Sequence, residues 1–322
     1  MRLVRALVVL GAVVGTGPAH AARVGFDDRT TKVPGQIFGV ARGDLDGDAL
    51  EDLVVLYRRG HGTDSRRFVG IIFRRPEGLP ARPDLAFEAP PAAALFDLAD
   101  MDGAPGDELV YLTGSGVYGH GFRGRQAAPV AKLLVAASLV GAPEPDDLPR
   151  WDFARPGPSG ELVLLIPGRR DLRLFAKTEE GWSTRCKVAI QQQAFYSARG
   201  PDGQGSGGGP GGAFALRVTN TLPILDIVEA TGDDRPDLVT HFEDVISVHP
   251  GDAEGCFSTR ATSSQRFRMR TPEEERAGTA SVIARLTDLD QDGIVDLALT
   301  KVAGGLTDLR TEIRLHRGEK GG

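Results

Sequence analysis

The sequence has only two cysteines, three methionines, two tryptophans and four tyrosines in 322 residues. So few cysteines exclude a disulfide-stapled small domain and any Cys-rich zinc or iron–sulfur centre. Long apolar runs are missing too. The longest, Ala6 to Val14, has nine residues, whereas a membrane-spanning helix takes about 20. None of the six histidines stands in a Gly-x-Ser-x-Gly or His-Glu-x-x-His context, so neither a nucleophile elbow nor a zinc-protease helix is written in the chain. Positive charge is in deficit, with 38 Lys and Arg against 44 Asp and Glu, a formal net charge of −6. That argues against a nucleic-acid partner, whose phosphates need a positive face.

What is present begins with an export pattern. Met1-Arg2-Leu3-Val4-Arg5 is positive, Ala6 to Val14 is apolar, Gly15, Gly17 and Pro18 break the helix, and Ala19-His20-Ala21 is a small-x-small site. This three-part layout predicts a signal peptide over residues 1–21, with cleavage after Ala21 and a secreted or periplasmic product. Removing Arg2 and Arg5 takes the charge from −6 to −8. Residues 22–322 are left as one repeat-built domain with no membrane span.

Helix signals are poor, because 42 glycines and 21 prolines interrupt the chain every few residues. Short apolar runs lie between them, such as Leu53-Val54-Val55-Leu56 and Leu162-Val163-Leu164-Leu165-Ile166. Runs of this length bounded by Gly, Pro and Asp read as strands, and the class is all-β.

A chain of short strands calls for a search for repeats. Asp44-Leu45-Asp46-Gly47-Asp48-Ala49-Leu50-Glu51-Asp52 and Asp288-Leu289-Asp290-Gln291-Asp292-Gly293-Ile294-Val295-Asp296 both carry acids at positions 1, 3, 5 and 9, and a strand follows each. Asp100 to Glu108 keeps positions 1, 3 and 9, Glu229 to Asp237 keeps 1, 5 and 9, and Phe153 to Glu161 keeps only the last. First positions at 44, 100, 153, 229 and 288 give steps of 56, 53, 76 and 59. The long step holds the Gly-rich stretch 200–212. Its 13 residues lack the Gly-Lys-Ser/Thr ending of a phosphate loop and read as a flexible insertion. Each repeat reads as strand, acidic loop, strand, turn, strand, turn, strand. That is the size of a four-stranded propeller blade, and radial stacking buries faces that a lone sheet leaves open.

Five acidic loops predict about five blades, with a sixth still possible around residues 186–225. The last repeat lacks a fourth strand, and the spacing predicts that residues 24 to about 33 close the ring by supplying it.

Alternate acids in a tight loop turn their oxygens inward, a position-7 carbonyl adds a ligand and the position-9 acid closes the shell. Such an oxygen cage suits calcium. The candidate ligands are Asp44, Asp46, Asp48, Leu50 and Asp52 in the first loop, and Asp288, Asp290, Asp292, Ile294 and Asp296 in the last. Asp100, Asp102, Gly106 and Glu108 form a weaker set, because Ala104 stands at position 5. An EF-hand is excluded, since Val55 and Leu299 occupy the position of its closing glutamate. The metal is read as structural.

The Asp-x-Asp-x-Asp-Gly-x-x-Asp-Leu pattern resembles the FG-GAP or VCBS repeats of integrin α-chain propellers and bacterial secreted proteins. Phe38-Gly39 is similar to the first half of the FG-GAP name, while Gly141-Ala142-Pro143 lies out of phase with the acidic loops. The resemblance implies a propeller with calcium in the loops between the two inner strands of a blade. Integrin-type propellers have seven blades, and this chain is too short for that. The family spans adhesion, sugar binding and accessory domains of enzymes, so function does not follow from fold.

Two functions remain in play. One is a binding or adhesion module for a protein or a glycan, for which exposed aromatics such as Tyr111 and Tyr118 would favour a glycan. The other is an extracellular hydrolase or lyase, which needs His, Arg and acids converging at one mouth of the ring. His61 and His120, both in Gly-rich turns, read as exposed loop residues. Cys186 and Cys256 suit an oxidising compartment as a pair, but they fall on outer strands of neighbouring blades. Bridging needs Cα atoms within about 7 Å, so pairing stays open.

Overall fold

β-Branched and aromatic runs cut by Gly, Pro and Asp can bury an apolar face only against another sheet. The computed structural model describes residues 30–61, 64–76, 78–140, 147–191, 193–199, 215–242, 244–277, 279–291, 295–304 and 309–318. In it these runs form a β-propeller of five antiparallel blades. The first blade is β1 (Gln36–Gly43), β2 (Asp52–Arg59), β3 (Arg66–Ile72) and β4 (Leu85–Glu88). The second is β5 (Ala93–Ala99), β6 (Glu108–Thr113), β7 (Gly116–His120) and, beyond the small ribbon of β8 (Phe122–Arg123) and β9 (Gln126–Ala127), β10 (Ala131–Val135). The third is β11 (Ala154–Pro156), β12 (Leu162–Pro167), β13 (Asp171–Thr178) and β14 (Gly181–Ala189). After β15 (Gln193–Arg199) and β16 (Ala215–Thr221) comes the fourth, β17 (Ile224–Val228), β18 (Asp237–Phe242), β19 (Val245–His249) and β20 (Ser263–Arg266). The six-residue helix α1 (Pro272–Ala277) leads into the fifth, β21 (Ala280–Thr287), β22 (Asp296–Ala303) and β23 (Arg310–His316).

Each core belongs to two blades. Val54, Leu56, Val69 and Ile71 of the first blade pack with Phe96, Leu109 and Tyr111 of the second. The opposite face of the second blade, with Val110, Leu112 and Val117, meets Phe153, Leu164 and Phe175 of the third. Val163, Leu165 and Leu174 then join Leu225 and Leu238 of the fourth, and Val239 and Ile246 join Ala284, Leu297 and Leu299 of the fifth. The period-2 alternation of a strand makes this possible, because successive side chains serve successive junctions. At the two ends, Ile37 and Val40 in β1, and Ile283, Ile313 and Leu315 in the fifth blade, are exposed.

The departures from the sequence reading are local. Among the described residues no sixth blade fills 186–225: β14 completes the third blade, and β15 and β16 pair only with each other. The long repeat step therefore contains a whole hairpin. The Gly-rich stretch 200–212, the signal segment 1–21, and residues 24–29 of the expected closing strand lie outside the described residues. Further along that expected strand, Thr31 Oγ1 and Lys32 N donate to the carbonyls of Pro80 and Ala81 in the first blade, at 2.7 and 3.0 Å. The fifth blade has three strands among the described residues. Cys186 on β14 and Cys256 beyond β19 form a disulfide between the third and fourth blades, with Cα atoms 6.1 Å apart. No helix among the described residues is long and apolar enough to cross a membrane.

Candidate metal centre

The acidic loops join the first strand of a blade to the second. Glycine at position 4 has a backbone reason: Gly47, Gly103 and Gly232 sit there with φ of 76°, 81° and 80°, a region that side chains avoid. In the last loop Gln291 occupies the same place at φ 62°.

In the first, second and fourth loops the first acid folds the turn. In the first loop Asp44 Oδ1 accepts from the backbone N–H of Gly47 (2.8 Å) and Asp48 (3.2 Å), and Oδ2 from Ala49 (2.8 Å). Glu229 does the same in the fourth, accepting from Thr231, Gly232 and Asp234.

The ninth acid is a staple between strands. Asp52 Oδ2 accepts from Leu45 N (2.9 Å) and Oδ1 from Arg74 N (2.8 Å), so it ties the loop to the end of β3. Asp237 bonds Ala230 N and Gly251 N, both at 2.9 Å, and Asp296 bonds Leu289 N and Gly318 N, both at 2.8 Å. All three are buried. Burial pushes the Asp52 carboxyl up, against the two backbone hydrogen bonds that hold its charge. Sequence reasoning took position 9 as the residue that closes a metal shell. The structure shows a second task at this position that spacing could not reveal.

Three loops gather acids. Oxygens of Asp44, Asp46 and Asp48 lie within 4.8 Å of one another, as do those of Asp100, Asp102 and Glu108, and those of Asp288, Asp290 and Asp296. Leu50 N bonds Asp48 Oδ1 at 2.9 Å. Asp292 and Ile294 lie outside the described residues. Gly106 sits where the first two loops touch, and a Cβ there would come 2.8 Å from Leu45 O. Beside it Asp107 N donates to Asp44 O at 2.6 Å. The third repeat is a short turn with Gly157 N on Glu161 O, and Phe153, assigned to its first position by spacing, lies before β11 in the core. A motif with one surviving acid could not fix that register.

The strongest sign of a ligand is an orphaned oxygen. The Asp46 side chain is only 5% exposed, and its Oδ1 is buried with no hydrogen-bond partner. Thr231 Oγ1, at position 3 of the fourth loop, is buried and unpartnered as well. Buried polar atoms nearly always find a partner, and an exception calls for an explanation such as an ion. Three carboxylates around one bare buried oxygen fit a hard divalent cation with oxygen ligands. Softer metals would want the sulfur or imidazole that these loops lack.

Arginines face the same acids. Arg125 Nε bonds Asp46 Oδ2 at 2.6 Å and its Nη2 lies 3.3 Å from Asp48 Oδ2. Arg123 reaches Asp102 at 3.2 Å and Arg317 reaches Asp290 at 3.0 Å. None of these was legible in the loop motifs, because Arg125 stands 79 residues from Asp46.

Next to the second loop a cavity of about 370 Å³ opens between the second and third blades, lined among others by Asp102, Glu108, Arg123, Leu133, Lys177 and Trp182. Tyr111 is fully buried and Tyr118 packs against the first core, so the aromatics lining this cavity are Trp182 and the largely buried Phe122 instead. His120 is buried between Phe87 and Phe122, with ring centroids at 4.4 and 5.3 Å, rather than exposed in a loop. Burial lowers its pKa. Near the inner strands Arg150 lies 3.4 Å from Asp97 and 3.1 Å from Asp152, and Arg155 lies 2.7 Å from Asp152. Asp97 also accepts from Leu98 N and Ala154 N, and burial raises its pKa to about 6. With both oxygens engaged between two blades, it serves as a joint.

No protein-family model matches this chain, and no curated protein matches it.

Proposed function

We propose that the chain is an exported, calcium-binding β-propeller of FG-GAP or VCBS type that works as a binding or adhesion module for a protein or glycan, with calcium in a structural role. The observation that carries the metal is Asp46, a 95% buried carboxylate (side chain 5% exposed) with one bare oxygen among the acids of a loop that recurs in phase along the chain. Asp44, Asp46 and Asp48 would hold the first ion; Asp100, Asp102 and Glu108, and Asp288, Asp290 and Asp296, would hold two more. One arginine per cluster offsets only part of its negative charge; calcium would offset the rest, and the folded loop gathers the ligands that an unfolded chain scatters. Export draws support from the N-terminal pattern and from the disulfide, which needs an oxidising compartment. The binding role draws support from the cavity beside Trp182, since a mixed apolar and charged wall of that size suits a small ligand or a glycan unit.

The test is thermal unfolding of the full chain in calcium and in excess chelator. At a hundred times Kd one site adds about 2.7 kcal/mol, or roughly 4 °C for a chain of this size. A midpoint that does not move on chelation sinks the metal reading. Screening against immobilised glycans and candidate proteins, with Trp182→Ala as control, tests the ligand reading: binding indifferent to that change would place the contact elsewhere.

A further inference from the structure

The arginine that meets the first acidic loop comes from the second blade, out of an unfavourable backbone. Gly124 and Arg125 are the two central residues of the turn between β8 and β9, with φ of 54° and 64°. A turn with both central residues at positive φ favours glycine at the second of them. A long side chain held there points to a use for that side chain. Its guanidinium lies 5.6 Å over the Phe73 ring and spans two carboxylates of the loop, Asp46 and Asp48.

The oxygen count of that loop is informative. Asp44 spends both oxygens on backbone N–H groups, Asp48 spends one on Leu50 N and one on Arg125, and Asp46 spends one on Arg125. Five of the six carboxylate oxygens are therefore engaged, and Asp46 Oδ1 alone is bare. A divalent cation seated on Asp46 Oδ1 needs further carboxylate oxygens. Two of them, one on Asp46 and one on Asp48, are held by Arg125, and a guanidinium left beside the ion would repel it.

We propose that Arg125 is the resident counter-ion of the first acidic loop and exchanges with the divalent cation, so that cation entry releases the β8–β9 turn of the second blade from the first. The exchange rests on the calcium reading of this loop. Arg123 on Asp102 and Arg317 on Asp290 repeat the arrangement at position 3 of the other two clusters. The device is thus a property of the loops rather than of one residue.

The experiment compares the full wild-type chain with Arg125→Gln, which keeps reach and polarity but not charge, and with Arg125→Ala. Calcium is titrated calorimetrically, and unfolding midpoints are taken in chelator and in saturating calcium. Exchange predicts that both variants bind calcium more tightly, roughly three- to tenfold for loss of one unit charge near a doubly charged ion. It also predicts that their midpoint deficit in chelator shrinks in calcium. Weaker or unchanged calcium binding in Arg125→Gln, or a deficit that grows in calcium, overturns the proposal, because Arg125 would then be supporting the ligating carboxylates. A wild type that binds no calcium by either measure removes the metal reading itself, a result distinct from the first. Should Arg125→Ala fail to fold, Arg125→Gln carries the comparison.

Discussion

Asp46→Asn is the sharpest perturbation of the candidate centre, because its effect should depend on the solution rather than on the fold. Without a cation the aspartate is repelled by Asp44 and Asp48, whose oxygens lie within 4.8 Å. In a water-like dielectric each such pair is worth about 0.9 kcal/mol, and asparagine removes both. The pairing with Arg125 at 2.6 Å, comparable at the same dielectric to the two repulsions together, is weakened and works in the other direction. The two nearly cancel, so in chelator the midpoint should stay within about 2 °C of wild type. In saturating calcium the variant loses a charged ligand and with it most of the about 2.7 kcal/mol that one site supplies at a hundred times Kd. That is roughly 4 °C. Differential scanning fluorimetry of both proteins, with and without calcium, reads the four midpoints. An equal drop in chelator and in calcium would refute the reasoning, for Asp46 would then be an ordinary buried packing residue.

Other expectations separate the structural acids from the metal-holding ones. Asp237→Ala removes two hydrogen bonds from buried backbone donors and should cost about 3 kcal/mol or more, equally in calcium and in chelator; a calcium-dependent loss in chemical denaturation would contradict the staple role. Gln291→Gly relieves a left-handed residue and should stabilise by about 0.5–1 kcal/mol, with no gain in urea unfolding counting against it. His120 and His249 are held below their ordinary pKa by burial. Their stabilising contribution is therefore complete above about pH 6.5 and is lost as pH falls below it. Asp97, raised to about 6, acts in the opposite sense between about pH 4 and 6, so the informative quantity is a difference: His120→Gln should lose less stability than wild type from pH 7 to 5, and parallel curves would show that His120 does not titrate with unfolding.

The parts of this molecule that repeat were the parts the sequence could announce. Acids at positions 1, 3, 5 and 9, each followed by an apolar strand, are local patterns, and with the short runs they led to five blades of the right size. Residues whose meaning depends on a distant partner stayed hidden. Arg125 matters only because the second blade brings it onto Asp46, and Asp52 shows its second task only where β3 ends beside the loop. His120 reads as exposed because glycines flank it, and Tyr111 as a possible surface aromatic, yet Tyr111 is buried in the core shared with the first blade and His120 between Phe87 and Phe122. The β15–β16 hairpin has no acidic loop to mark it, so the sequence leaves it open as part of a possible sixth blade.

Sharing a core between neighbours also shapes how the molecule comes apart. A blade in the middle of the array lends its two faces to two different junctions, so removing it dissolves both. Among the described residues the first and fifth blades each contribute to one core, and the fifth has three strands. In an array whose energy is a sum over nearest neighbours, melting begins at the end with the least to lose. Amide exchange should thus be fastest in β21 to β23 and slower toward the second and third blades. The bond between Cys186 and Cys256 stands between the third and fourth blades, where it limits how far a front of fraying that enters from the fifth blade can separate the chain.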